Sequence, residues 1–143
     1  MFEIKNPLFK ETILKKLEKQ HFMHHIQANL TSIEAGKVSS ELEIKDIHKQ
    51  QNGFVHGGVT STMADLVMGF AAYSLVSDKQ GTVTSDLKIS YLRPGIGEKI
   101  IAEGYVIKQG NLLFFCEADI FVIKQNEKTL IARGYSTMVA IGV

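Results

Sequence analysis

A single cysteine, Cys116, stands in 143 residues, which excludes an intrachain disulfide framework and a cysteine-rich metal site. It falls in the strand-like run Leu112-Leu113-Phe114-Phe115-Cys116-Glu117, where a small buried hydrophobe is expected rather than a nucleophile, because no histidine or other base is near it in sequence. Net charge is equally scarce. Sixteen Lys and Arg against fifteen Asp and Glu leave +1, and no long basic block argues for nucleic acid or an anionic surface as partner. No apolar run is long and uninterrupted enough to span a bilayer; the nearest candidate, residues 57–76, carries Asp65 inside it. Met1 to Pro7 lack the apolar core and small-residue cleavage site of a secretory signal, so the cytoplasm is the expected location. With no repeat, low-complexity linker or composition break, the expectation is one domain over residues 1–143, long enough for a real core.

What the chain does have is the stretch from Asn52 to Val76. It opens with Gly53, Gly57 and Gly58 and then runs apolar on all sides, as a helix does when it is buried all round. Thr60, Ser61 and Thr62 can return their hydroxyls to the preceding turn. Asp65 has no such outlet: it is a costly group to desolvate, set among Met63, Ala64, Leu66, Val67 and Met68 with no Lys or Arg nearby in sequence. It is a polar helix edge, an acceptor at a subunit interface, or a group with chemical work. The glycines favour the last. Gly57 and Gly58 can bring bare backbone N–H groups close to a ligand at the positive end of a helix dipole, a corner suited to a developing oxyanion. Asp65 lies seven positions after Gly58, nearly two turns at about 3.6 residues per turn, so donors and base share one side of the helix.

On either side the pattern is plainer. Asn6-Pro7 can cap and start a helix over Leu8–Gln20 with Phe9, Ile13 and Leu17 on one face; Lys15, Lys16 and Lys19 then form a solvated face. His21, His24 and His25 read as a polar helix end, since nothing nearby completes a metal set for His21 and His25. Ile26 to Thr31 and Val38 to Lys45 alternate as half-buried strands around an Ala35-Gly36-Lys37 turn, and a loop over 46–55 leads to the helix. After a closing turn at 77–81, the runs Thr82–Leu92, Lys99–Lys108, Asn111–Lys124 and Lys128–Ile141 read as consecutive antiparallel strands. One long buried helix among about six long strands predicts an α+β fold in which a curved antiparallel sheet wraps the helix, preceded by a short N-terminal helix.

His56-Gly57-Gly58 followed by Ala64-Asp65 resembles the hotdog-fold acyl-CoA thioesterases of the PaaI-like group, which includes thioesterase superfamily member 2. The likeness continues through Ser85-Asp86-Leu87-Lys88-Ile89-Ser90-Tyr91-Leu92-Arg93-Pro94-Gly95, Gly104-Tyr105-Val106-Ile107-Lys108-Gln109-Gly110-Asn111 and Ala132-Arg133-Gly134, nearly the whole chain after the first helix. The resemblance implies hydrolysis of an acyl-coenzyme A thioester. Asp65 would be general base or nucleophile, the Gly57 N–H would polarise the thioester carbonyl, His56 would orient it, and Thr84 would be the hydroxyl residue of the next strand that belongs to the site. It also implies that two subunits build each site within a homotetramer made as a dimer of dimers. The family often carries Asn six positions before the His to place the attacking water; here that position is Gln50, with Asn52 closer, so either amide is a candidate.

A carboxylate in an apolar pocket becomes a better base, the helix N-terminus stabilises oxyanion charge, and a thiolate leaves readily. This chemistry requires no metal and no cofactor beyond the coenzyme A of the substrate. Gly58 is a further substrate-binding candidate, as are Arg93 and Lys108, cations beside turns that could meet coenzyme A phosphates. Phe54, Met63, Met68, Phe70 and Tyr73 offer apolar surface for an acyl group or serve as core. A non-catalytic acyl-CoA binding module on the same fold is the alternative function, and a hotdog dehydratase, whose His-plus-acid helix pattern is not evident here, is a third.

Overall fold

The computed structural model describes residues 1–143. Two short helices, α1 (Phe9–Glu18) and α2 (His21–Ile26), precede a hairpin of β1 (Asn29–Glu34) and β2 (Lys37–Glu43). A 3-10 turn over Asp46–His48 leads to the long helix α3 (Gly57–Tyr73), and four strands complete the chain: β3 (Gln80–Tyr91), β4 (Lys99–Gln109), β5 (Leu113–Lys124) and β6 (Glu127–Gly142). They form one antiparallel sheet in the order β1-β2-β4-β5-β6-β3, with α3 packed against five of its six strands.

The helix is buried because its sequence leaves no face for water: Met63, Ala64, Val67, Met68, Ala71 and Ala72 are fully enclosed. Helix and sheet approach closely because the row of strand residues beneath them is small. Gly104 on β4 pairs with Ala118 on β5, which pairs with Gly134 on β6, and a Cβ added to Gly104 would come within 2.6 Å of the Val67 carbonyl carbon. A Cβ on Gly134 would stand 3.3 Å from that of Ala64. Larger residues, Val38 on one side and Ile89 on the other, continue this row and wall the helix in.

The α+β class, the strand count and the wrapped helix match the expectation from sequence, and the differences lie at the ends of elements and in two short helical pieces. The predicted helix over 57–76 stops at Tyr73. Ser74 ends it by accepting the Gly36 N–H at 2.7 Å while donating to Ala71 O at 2.6 Å, and Leu75 and Val76 continue as buried non-helical chain. Apolar patterning cannot tell these last two residues from helix. The single N-terminal helix is two helices, and Ile26, read as the first strand residue, is the end of α2; Gln27 takes the left-handed conformation (φ 62°) that turns the chain into β1. The loop over 46–55 also holds a helical turn, whose residue His48 is buried.

Gly104→Ala places a methyl group against helix backbone that cannot swing aside, and is expected to cost about 2–3 kcal/mol by overpacking. Urea unfolding of the purified variant against wild type measures it; an unchanged midpoint would show that α3 has room to move.

Candidate active site

The chain enters α3 through His56, an extended N-cap residue (ψ 135°) whose backbone N–H donates to His48 O at 2.8 Å. Its ring Nδ1 accepts the Gly58 N–H at 2.9 Å, which assigns the ring proton to Nε2 in the neutral tautomer and leaves Nε2–H as a free donor. Val59 and Thr60 donate to His56 O. Only Gly57, of the residues starting the helix, keeps an N–H without an acceptor in the chain, at the positive end of the α3 dipole. The Tyr91 hydroxyl donates to Gly57 O at 2.9 Å, and its ring lies 3.3 Å from where a Cβ on residue 57 would be. A side chain at 57 would crowd that contact.

A cavity of about 330 Å³ opens at this corner, with Gln50, Gly57, Thr60, Tyr91 and Arg93 among its walls. The Gln50 backbone N–H donates to Phe54 O at 2.8 Å, and its carbonyl accepts the Gly53 N–H at 2.9 Å. Its side-chain Oε1 accepts the Asn52 N–H, leaving the amide nitrogen as a donor. Arg93 donates to Leu130 O at 2.9 Å.

Asp65 lies half-buried on another cavity of about 360 Å³, together with Thr84. The Thr84 hydroxyl donates to Asp65 Oδ1 at 2.7 Å. A bulge in β3 at Ser85 shifts the register against β6 immediately after Thr84. The ladder groups it disturbs are met by side chains: Ser85 Oγ donates to Thr137 O, and the Thr137 N–H donates to Asp86 Oδ1, both at 3.1 Å. The bulge lets Thr82 and Thr84 face α3 and still brings Ile89, instead of Lys88, onto the core side further along.

The two cavities share no residue. Gly57 and Asp65 are eight positions apart, about 12 Å along the helix axis at about 1.5 Å per residue. Donors and base therefore do not share one working side of the helix, contrary to the expectation from sequence: periodicity fixes the direction a residue faces but not its height, and donor and carboxylate of one chain cannot reach the same carbonyl.

Other candidates divide similarly. Gly58 is not a free donor, because His56 holds its N–H. Asn52 is exposed and lines neither cavity, whereas Gln50 stands beside Gly57. Lys108 is exposed near the end of β4 and lines neither cavity, so the structure separates it from the site; Arg93 remains beside Gly57. Lys16 is not part of a solvated face: its ammonium stands 5.1 Å from the Tyr73 ring centroid and it lines the Asp65 cavity. Phe70 and Tyr73 line that cavity, Phe54 lines the other, and Met63 and Met68 are core. Cys116 is buried, which pushes its thiol up to about 12 and keeps it protonated at neutral pH. No three His, Cys, Asp or Glu side chains converge as a metal-binding set.

A family model described as the thioesterase superfamily matches residues 52–129. Acyl-coenzyme A thioesterase 13 of Homo sapiens is 31% identical over 130 residues, 87% of this chain and 89% of that protein. The chain belongs to the thioesterase superfamily. A thioesterase family protein from Silicibacter pomeroyi superposes with a TM-score of 0.93 at 26% identity, covering 94% of this chain and 99% of that one. The E. coli PaaI protein of the phenylacetic acid degradation operon shares the fold with a TM-score of 0.85 at 19% identity, covering 96% of each chain. The architecture is thus the hotdog fold of the PaaI-like group, and the protein is a thioester hydrolase.

Within this thioesterase, two residues that hold the Gly57 corner in place were not singled out from sequence. Tyr91 closes on Gly57; it lies inside a stretch that carries the family likeness, but nothing there marks it apart from its neighbours. His48 is 1% exposed; its Nε2–H donates to Ile26 O at 2.7 Å and its Nδ1 accepts the Lys45 N–H at 2.9 Å, while its carbonyl holds His56. His48→Ala would strand two backbone groups and empty a buried site, and is expected to cost about 2–4 kcal/mol. Thermal unfolding of the variant checks this, a loss under about 0.5 kcal/mol being the contrary result.

Proposed function

We propose that the protein hydrolyses an acyl-coenzyme A thioester to the free acid and coenzyme A, at a site shared by two copies of the chain. The observation that carries the reading is the Asp65 carboxylate held by Thr84 on an apolar cavity, while the free Gly57 N–H of the same helix lies too far away to act with it. A second copy supplies the missing half. β3 is an edge strand, and Val83, Leu87 and Tyr91 on it are exposed, so it needs cover. Antiparallel pairing of β3 with its own copy about a two-fold axis near Leu87 and Lys88 would set Thr84 of one protomer opposite residue 91 of the other, because 84 and 91 are equally distant from that centre. Tyr91 already touches Gly57. The free N–H of one protomer would then face the Asp65 carboxylate of its partner.

In this arrangement the Gly57 N–H and the helix dipole stabilise the oxyanion as the thioester carbonyl is attacked. Asp65 takes a proton from the attacking water, or attacks directly to give a mixed anhydride that water then cleaves to the free acid, with Thr84 fixing its orientation. The His56 Nε2–H orients the thioester, and the Gln50 amide is better placed than Asn52 to hold the attacking water. Coenzyme A departs as a thiolate, Arg93 being the cation that lines the Gly57 cavity and can meet its phosphates. The chemistry uses no metal or redox cofactor. Human acyl-coenzyme A thioesterase 13 supports the coenzyme A thioester as substrate class. Assembly beyond the dimer, to a dimer of dimers, and operation in the cytoplasm, which suits a lone free thiol, complete the proposal.

Thiol release from a panel of aryl-acetyl and aliphatic coenzyme A thioesters tests it. Asp65→Asn should lower kcat by about a hundredfold or more, and Thr84→Val by roughly tenfold. Binding without cleavage by wild type would make the protein an acyl-CoA binding module; normal turnover by a folded Asp65→Asn protein would remove the base. Light scattering at assay concentration should give a dimer or a multiple of one, and an active monomer would overturn the shared site.

A further inference from the structure

The Asp65 cavity runs along α3 from the carboxylate to Tyr73, again eight positions and about 12 Å along the axis. Leu66, Phe70, Met138 and Ile141 make its walls apolar, a lining suited to an acyl chain and unsuited to a nucleotide. Its far end is different. Lys16, half-buried on the last turn of α1, places its ammonium 5.1 Å from the Tyr73 ring centroid, and Gln20 lies beside it on the cavity wall. The four ion pairs of the chain use Lys49, Lys99, Lys128 and Arg133, so the Lys16 ammonium has no carboxylate partner. Burial and the nearby charge of Asp78 push the Tyr73 hydroxyl upward, which keeps it a donor; Asp78 itself is exposed and outside the cavity. An apolar passage thus ends in a cation and two further polar groups, and the cation has the Tyr73 ring face but no carboxylate of the chain as partner.

We propose that this cavity receives acyl groups of about 12 Å that end in an oxygen acceptor, which Lys16 reads at the Tyr73 end. This deepens the proposed hydrolase reading and rests on it. An extended chain advances about 1.3 Å per carbon for bonds of about 1.5 Å, so roughly eight to ten carbons fill the passage. A terminal carboxylate gains a charge-assisted hydrogen bond and a terminal hydroxyl a weaker one, while a terminal methyl group leaves the ammonium to be desolvated with only the Tyr73 ring as partner.

The test compares kcat/KM for octanoyl-CoA, 8-hydroxyoctanoyl-CoA and the mono-coenzyme A thioester of octanedioic acid, with the butanedioic analogue as the short control, for wild type and Lys16→Met. Wild type should prefer the octanedioic thioester over octanoyl-CoA by roughly tenfold to a hundredfold, the hydroxyl compound falling between, and the butanedioic thioester should lose that advantage. Lys16→Met should reverse the ratio. Equal turnover of all the eight-carbon thioesters, or a preference that survives Lys16→Met, would overturn the inference and leave the hydrolase reading standing. No turnover of any thioester would overturn both.

Discussion

Close packing of α3 into the trough formed by Gly104, Ala118 and Gly134 is the constraint on which the site depends. A helix without a wettable face must be covered along its length, and a sheet can cover it closely only where its inward residues are small. The trough fixes α3 in height and rotation, and larger side chains at Val38 and Ile89 resist rolling. Asp65 and Gly57 inherit their positions from that fit. Neither sits on a flexible segment, so their geometry is set by core packing.

Burying the helix creates the problem that the edge strand then solves. A carboxylate midway along α3 needs a donor, and the nearest strand can supply one only if its hydroxyl points inward while the rest of that strand keeps its apolar residues inward too. Strict alternation through Thr84 would send Asp86 and Lys88 toward the core. The bulge at Ser85 breaks the alternation, and the side chains of Ser85 and Asp86 satisfy the ladder groups it disturbs. Stability and site geometry are thereby reconciled within four residues.

The fold was largely legible because its determinants are local. All-round apolarity announced the buried helix, period-two alternation the strands, and Gly36, at φ 74°, the first hairpin turn. Asp65 stood out because nothing around it in sequence could neutralise it, and the motifs around His56-Gly57-Gly58 carried the family. What escaped the sequence was long-range. His48 bonds Ile26 across 22 positions and Tyr91 bonds Gly57 across 34, and no local pattern marks such pairs. Lys16 belongs to a face whose sequence pattern is that of a solvated one, but α1 lays that residue over Tyr73. The separation of Gly57 from Asp65 escaped for another reason: a helical wheel discards axial distance.

That separation also decides how activity relates to association. A protomer that held donor and carboxylate together would need no partner, and its sheet edge would be only an aggregation hazard to be blunted. On the proposed reading, each chain carries two incomplete halves about 12 Å apart along one rigid helix. Bending the helix would break the trough contacts, so no internal motion unites the halves. The edge strand lies between them, with Thr84 toward the carboxylate half and Tyr91 toward the donor half. Two-fold pairing along it would cover the exposed edge and complete two sites in one event. Forces that hide the edge from water and geometry that assembles the chemistry would then favour the same dimer, and site formation would follow protomer concentration by mass action.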